Sequence, residues 1–217
     1  MKKYLIGAVL VQLVNCNWRM KTKFIIGLGN IGNQYEKTRH NIGFEILNNL
    51  KAYLEQKNFS FEEKKIKKIQ AKIFFCSDLK LYLIYPQTYM NNSGLAVRTL
   101  ISWYKITDLK NLLIVYDDIS LVLGRLKWVL EGGAGGQHGI ESIIENLGGK
   151  KFFPRLKFGI GPDPGGEKRA NYVLSSFKND ELSIAEKSIK IALESIELFI
   201  TEKCDLSQIM NKFNGLA

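Results

Sequence analysis

The amino-acid sequence predicts a single α/β domain with a mostly parallel sheet covered by helices on both faces. Three observations carry this. Short apolar runs alternate along the chain with longer segments of helical periodicity. Several runs are continuous, the pattern of strands buried on both faces. The 217 residues show no linker and no internal repeat, and a chain of that length buries a core without disulfides.

The first strand is Lys23–Leu28 (KFIIGL), and Gly29–Arg39 reads as polar loop. Asn41–Gln56 sets Ile42, Ile46, Leu47, Leu50 and Leu54 on one helical side. Ala71–Cys76 and Lys80–Tyr85 are strands joined at Ser77-Asp78, with Pro86 closing the second. Asn92–Tyr104 is a second helix, with Leu95, Val97, Leu100, Ile101 and Tyr104 apolar. Asn111–Tyr116 (NLLIVY) is a buried strand ending in Asp117-Asp118, and Arg125–Leu130 is another strand. Glu131–Gly136 must be loop, Gly139–Leu147 helix, and Arg155–Ile160 strand, followed by a Gly/Pro loop to Gly166. A long helix spans Asp180–Lys203, with Ile184, Ala185, Ile189, Ala192, Leu193, Ile196 and Phe199 on its apolar face. Sites in such sheets collect at the carboxyl ends of strands. Asn30, Gln87–Asn91 and Asp117 fall there.

With 46% hydrophobic and 24% charged residues, the composition argues against a disordered, collagen-like or multi-span membrane chain. The net charge of +10 points to a polyanionic partner, nucleic acid or an anionic membrane, unless it is simply spread over a Lys-rich surface. The three cysteines, Cys16, Cys76 and Cys204, lie far apart, and the two histidines are His40 and His138. No structural zinc set and no disulfide framework can be drawn from them, so no metal is expected, and reduced thiols in a cytosol-like compartment are.

Residues 1–20 read apart from the rest. Lys2 and Lys3 precede the apolar run Tyr4–Val14, the outline of a short signal peptide. The run is too short to span a bilayer as a helix. It lacks a small-x-small cleavage pattern, and Asn15 stands before Cys16. An organelle-targeting extension, a weak secretion signal and a non-native upstream start all fit. In each case the folded domain is 21–217, beginning near Lys21.

Gly27–Gly32 (GLGNIG) matches the dinucleotide fingerprint G-x-G-x-x-G after a strand. That fingerprint works when its last glycine opens a helix facing a pyrophosphate. Here Gly32 leads into polar loop and the helix begins only near Asn41. The acid about 20 residues on, Glu55, would lie on a helix instead of at a strand end. A nucleotide cofactor, and with it a Rossmann-type oxidoreductase, is therefore not expected. Walker A and G-x-S-x-G patterns are absent.

Asn30, His40, Asn41, Asn91 and Asp117 are the stronger constellation. Each alone reads as a cap, turn or surface residue. Together they offer polar groups from several strand ends to one crevice. A His beside a carboxylate makes a general base near neutral pH, with the carboxylate fixing its tautomer. Asn amides can hold a carbonyl or a water. No Ser or Cys nucleophile has an evident partner, so water attacking an activated carbonyl is the natural reaction.

These residues sit in segments that resemble the bacterial and organellar peptidyl-tRNA hydrolase family: Ile25–Leu47 with its TRHN signature, Tyr85–Val97 with TYMN, Val115–Asp118, Gly132–Ile144, Arg155–Gly161 and Asn171–Phe177. They are ordered and spaced as in that family and span nearly everything from Lys23 onward. The resemblance implies a three-layer α/β/α monomer, without cofactor, that hydrolyses the ester linking peptide to tRNA in the cytoplasm, or in an organelle if residues 1–20 are a targeting segment. It makes His40 the base and Asp117 its orienting partner. Asn30, Tyr35, Met90, Asn91 and His138 would bind the substrate. The family's Gly-Gly-His-Asn-Gly reads Gly135-Gly136-Gln137-His138-Gly139 here, so His138 stands where the family's substrate-binding Asn would be. Milder departures are Ile31 for Pro, Tyr85 for Lys, and Ser120 for an acid.

The family holds the tRNA 5′ phosphate through basic side chains. Lys127, Arg155 and Lys157 stand at matching positions, Val129 replaces a second basic residue, and Arg125 is the nearest substitute. The Lys64, Lys65, Lys67 and Lys68 run reads as a solvated loop. Phosphate contacts would make binding salt-dependent and blind to sequence. The alternative function is a non-enzymatic RNA-binding relative that acts in intron splicing through a protein partner.

Overall fold

The structure, a computed structural model, describes residues 20–215. The reading of residues 1–20 as an extension therefore falls almost wholly outside the described residues. Seven strands form one mixed sheet: β1 (Lys23–Gly27), β2 (Glu62–Glu63), β3 (Ala71–Cys76), β4 (Leu81–Pro86), β5 (Leu112–Val122), β6 (Leu126–Val129) and β7 (Arg155–Gly161). Their order is β2-β3-β4-β1-β5-β7-β6. The central pairings β4-β1, β1-β5 and β5-β7 are parallel, and the flanking pairings are antiparallel. The parallel character expected from the sequence is thus confined to the middle of the sheet.

The described α-helices are α1 (Ile42–Gln56), α2 (Ser93–Trp103), α3 (His138–Asn146), α4 (Lys168–Val173), α5 (Asn179–Thr201) and α6 (Leu206–Phe213). Alternating strand residues feed two cores. Ile25, Leu113 and Val115 join Ile46, Leu50, Ile189 and Ile196 in the core under α1, α5 and α6. Phe24, Ile26, Leu112 and Ile114 join Val97, Leu100, Ile140 and Ile143 in the core under α2 and α3. The result is three layers, α/β/α.

Three elements absent from the sequence reading are β2, α4 and α6. The two-residue β2 and the six-residue α4 are too short for periodicity to register. The start of α6 did carry a signal, the capping box of Asp205 and Gln208, each side chain accepting the other's backbone N–H at 2.8 and 2.9 Å. Asn214, just after α6, bonds both backbone groups of Trp128 and so closes part of the exposed edge of β6.

The main boundary correction concerns β5. Asp117-Asp118 do not end this strand; it runs on to Val122, with a register shift against β7 after Asp118. Backbone crowds backbone there: a Cβ on Gly159 would lie 2.0 Å from the Val122 carbonyl oxygen. The β1–β5 ladder stops at Gly27–Val115. Asp117 therefore projects past the carboxyl end of its neighbour, on the same strand face as Leu113 and Val115, the face that α1 covers.

Candidate active site

The turn between β1 and α1 brings His40 to Asp117. Gly27 and Gly43 make this possible by letting α1 start against bare backbone. A Cβ on Gly43 would stand 2.4 Å from the Val115 carbonyl oxygen, and one on Gly27 2.5 Å from that of Gly43. The first glycine of the GLGNIG run thus serves helix packing, and Gly32, at φ 111°, leads into a short 3-10 turn, Asn33–Tyr35.

His40 Nδ1 lies 2.8 Å from Asp117 Oδ2, and the carboxylate is buried. Burial works to lower the imidazole pKa, but the charge of Asp117 and its hydrogen bond together outweigh burial and raise it above the ordinary value. A carboxylate can only accept, so it holds the proton on Nδ1 and leaves the Nε2 lone pair free.

Asn30 follows β1 and accepts the Met90 N–H on Oδ1 at 2.8 Å, which leaves its Nδ2 as the donor end of the amide. Asn41 braces it, accepting the Asn30 N–H at 2.8 Å and donating to its carbonyl at 2.9 Å. Asn30, His40, Met90 and Asp117 line a cleft of about 750 Å³ with Tyr89, Asn91, Asp118, the Gly-rich loop Ala134–His138, and the α4 residues Arg169, Ala170 and Val173, whereas Asn41, expected in the same crevice, stands outside its lining. Arg39, beside His40, ties that far wall down. Its buried guanidinium donates to Glu181 Oε2 at 2.5 Å and to Ser175 Oγ at 3.3 Å, between the rings of Tyr172 and Phe177.

The model of the family described as peptidyl-tRNA hydrolase matches residues 24–217. A peptidyl-tRNA hydrolase of Clostridium botulinum (strain Alaska E43) is 42% identical over 191 residues, covering 88% of this chain and 95% of that protein. One from Clostridium perfringens (strain SM101) is 43% identical over 193 residues, covering 88% and 97%. The crystal structure of the Acinetobacter baumannii peptidyl-tRNA hydrolase superposes with a TM-score of 0.78 at 29% identity, covering 88% of this chain and 94% of that one. The chain belongs to the peptidyl-tRNA hydrolase family.

Of the positions that the family resemblance singled out, Asn30, His40, Met90, Asn91, Asp117 and His138 all line the one cleft. Tyr35 does not. It packs edge-on against Tyr89, which does line the cleft, with ring centroids 6.5 Å apart. His138 is exposed at the first turn of α3. The basic positions separate. Lys127 is exposed on β6, directly across from Lys157 on β7. Lys157 is largely covered and donates to Asp118 Oδ2 at 2.7 Å. Arg125 is exposed but turns toward the C-terminal end, near Gly215.

Arg155 requires a correction. It is fully buried at the start of β7, its guanidinium given to the carbonyls of Gly132, Gly133 and Lys151, so it is not free to meet a phosphate. A guanidinium holding three carbonyls is an anchor for the Gly-rich loop.

Sequence reasoning assigned no role to Gln137, Arg39 or α4. Gln137 had a readable signal, a polar amide between a Gly-rich loop and an amphipathic helix, which is an N-cap position. The burial of Arg39 had none, because its partners lie more than 130 residues away. Among the described residues, no group of three or more His, Cys, Asp or Glu is placed to hold a metal ion, and no helix is long and apolar enough to cross a membrane.

Proposed function

We propose that the protein hydrolyses the ester between peptide and tRNA in peptidyl-tRNA, with His40 as general base. The observation that carries this is the His40 Nδ1–Asp117 Oδ2 contact of 2.8 Å at the floor of the cleft. Nε2 takes a proton from water as its oxygen attacks the ester carbonyl, and Asp117 steadies the imidazolium that forms. Asn30 Nδ2 and the Asn91 amide hold peptide and ester carbonyls, and Met90 gives the reacting end an apolar wall. The tetrahedral intermediate collapses, the tRNA hydroxyl leaves, and the imidazolium returns the proton to it. Lys127 and Lys157 meet the tRNA backbone, Lys157 exchanging its Asp118 partner for phosphate. The chain acts as a monomer in the compartment where translation occurs.

Purified protein should release peptide from an N-blocked aminoacyl-tRNA in the presence of chelator. His40→Ala should lose about 10²–10⁴-fold in kcat while still binding tRNA. Turnover at the wild-type rate in His40→Ala would remove His40 from the base role.

A further inference from the structure

Only one oxygen of Asp117 meets His40. The other, Oδ1, accepts a hydrogen bond from Gln137 Nε2 at 3.0 Å. Gln137 is only 9% exposed and is the N-cap of α3, its Oε1 accepting the Ile140 N–H at 2.9 Å. A backbone N–H can only donate, so Oε1 must face Ile140 and Nε2 must face Asp117. The helix end therefore dictates which way the amide points.

We propose that Gln137 is a positioning residue that locks the Asp117 carboxylate against His40. With a donor on each oxygen, the carboxylate cannot swing away, and Oδ2 stays on Nδ1. The amide does not titrate, whereas the imidazole that the family pattern carries at this position does. The orientation of the pair is thereby held across the pH range in which His40 itself changes charge. This inference rests on His40 acting as the base.

Several of the charged groups around the pair are themselves engaged. Asp118 of β5 pairs with Lys157 of β7 at 2.7 Å, and Arg39 of the His40 turn pairs with Glu181 of α5. On the α4 side, Glu167 and Arg169 line the cleft, with Arg169 bridged to Asp163, and His138 lines it from α3.

Two substitutions separate positioning from helix capping. Gln137→Asn keeps a good N-cap oxygen but withdraws the amide nitrogen by about 1.5 Å, out of reach of Asp117. Its kcat on N-blocked aminoacyl-tRNA should fall about 10-fold, with KM within about twofold of wild type and no loss of thermal stability. Gln137→Glu places a second carboxyl against Asp117. Its proton can serve as the donor at low pH, and its loss leaves two like charges facing each other. This variant should show a new descending alkaline limb in kcat, and its His40 imidazole, followed by NMR titration, should titrate higher than in wild type. A Gln137→Asn variant with wild-type kcat, or a Gln137→Glu variant whose His40 titrates as in wild type, would reduce Gln137 to a helix cap. The NMR titration needs no substrate. A wild-type protein that releases no peptide would therefore overturn the hydrolase reading and leave the proposal for Gln137 to be decided by the titration.

Discussion

Two opposed effects meet at His40, and their balance sets the acid limit of the reaction. Burial disfavours the imidazolium; Asp117 favours it by more, so the folded pKa lies above 6.5. A base works only when neutral, so kcat/KM should fall as pH drops through a limb above 6.5. Asp117→Asn removes the upward effects and leaves burial. The limb should move to lower pH while kcat drops by about 10³-fold or more, because the tautomer is no longer held. A pH–rate profile of both proteins checks this, and an unmoved limb would mean that another group titrates. Stability responds in the opposite pH direction from turnover. A raised folded pKa stabilises the fold fully below the unfolded pKa, and that contribution fades as pH rises through the folded value. The melting-temperature advantage of wild type over Asp117→Asn should therefore be larger near pH 6 than near pH 9 (about three units apart). At this scale residue type was informative where chemistry is rare, as with two histidines in the chain. It misled for Arg155, because a guanidinium looks the same in sequence whether it faces solvent or three buried carbonyls.

Among the elements, the start of α1 is the most constrained, since backbone meets backbone where β1, β5 and α1 converge. Gly43→Ala would drive a methyl to within 2.4 Å of the Val115 carbonyl oxygen. The helix must shift, at a cost of about 1–3 kcal/mol by urea denaturation, and turnover should fall because His40 stands two residues before α1. The wall formed by α4 depends on Arg39. Arg39→Met keeps apolar bulk between Tyr172 and Phe177 but strands Glu181. A loss of about 3 kcal/mol is expected, together with a higher KM as the wall loosens. The long, periodic elements were legible to within a residue or two: α1, α2 and α5 all begin one residue from the predicted start. The extension of β5 through Asp117-Asp118 was not legible, because paired acids usually mark a turn and only the pairing with β7 carries the strand past them.

For the whole molecule, the charge of +10 is too coarse to locate a phosphate site, and the basic residues singled out for that role do not act together. Of the four basic residues singled out as phosphate ligands, one is buried, one is paired with Asp118, one leans toward the C-terminal end, and Lys127 stands exposed on β6 across from Lys157. Lys127→Ala should therefore lower the salt dependence of tRNA binding by about one unit of log–log slope, with kcat at saturation unchanged. Arg155→Ala should instead lower thermal stability without the same change in slope. Sequence alone determined the α/β class and the order of the main strands and helices through local periodicity, and motifs that resemble the family implied the family and the pairing of His40 with Asp117. Tertiary structure decided which oxygen of Asp117 faces which partner, that Gln137 holds the second one, that Arg39 ties down the far wall, and which cations reach the surface. Those are matters of burial and contact between residues far apart in the chain, and pattern along a sequence carries no record of them.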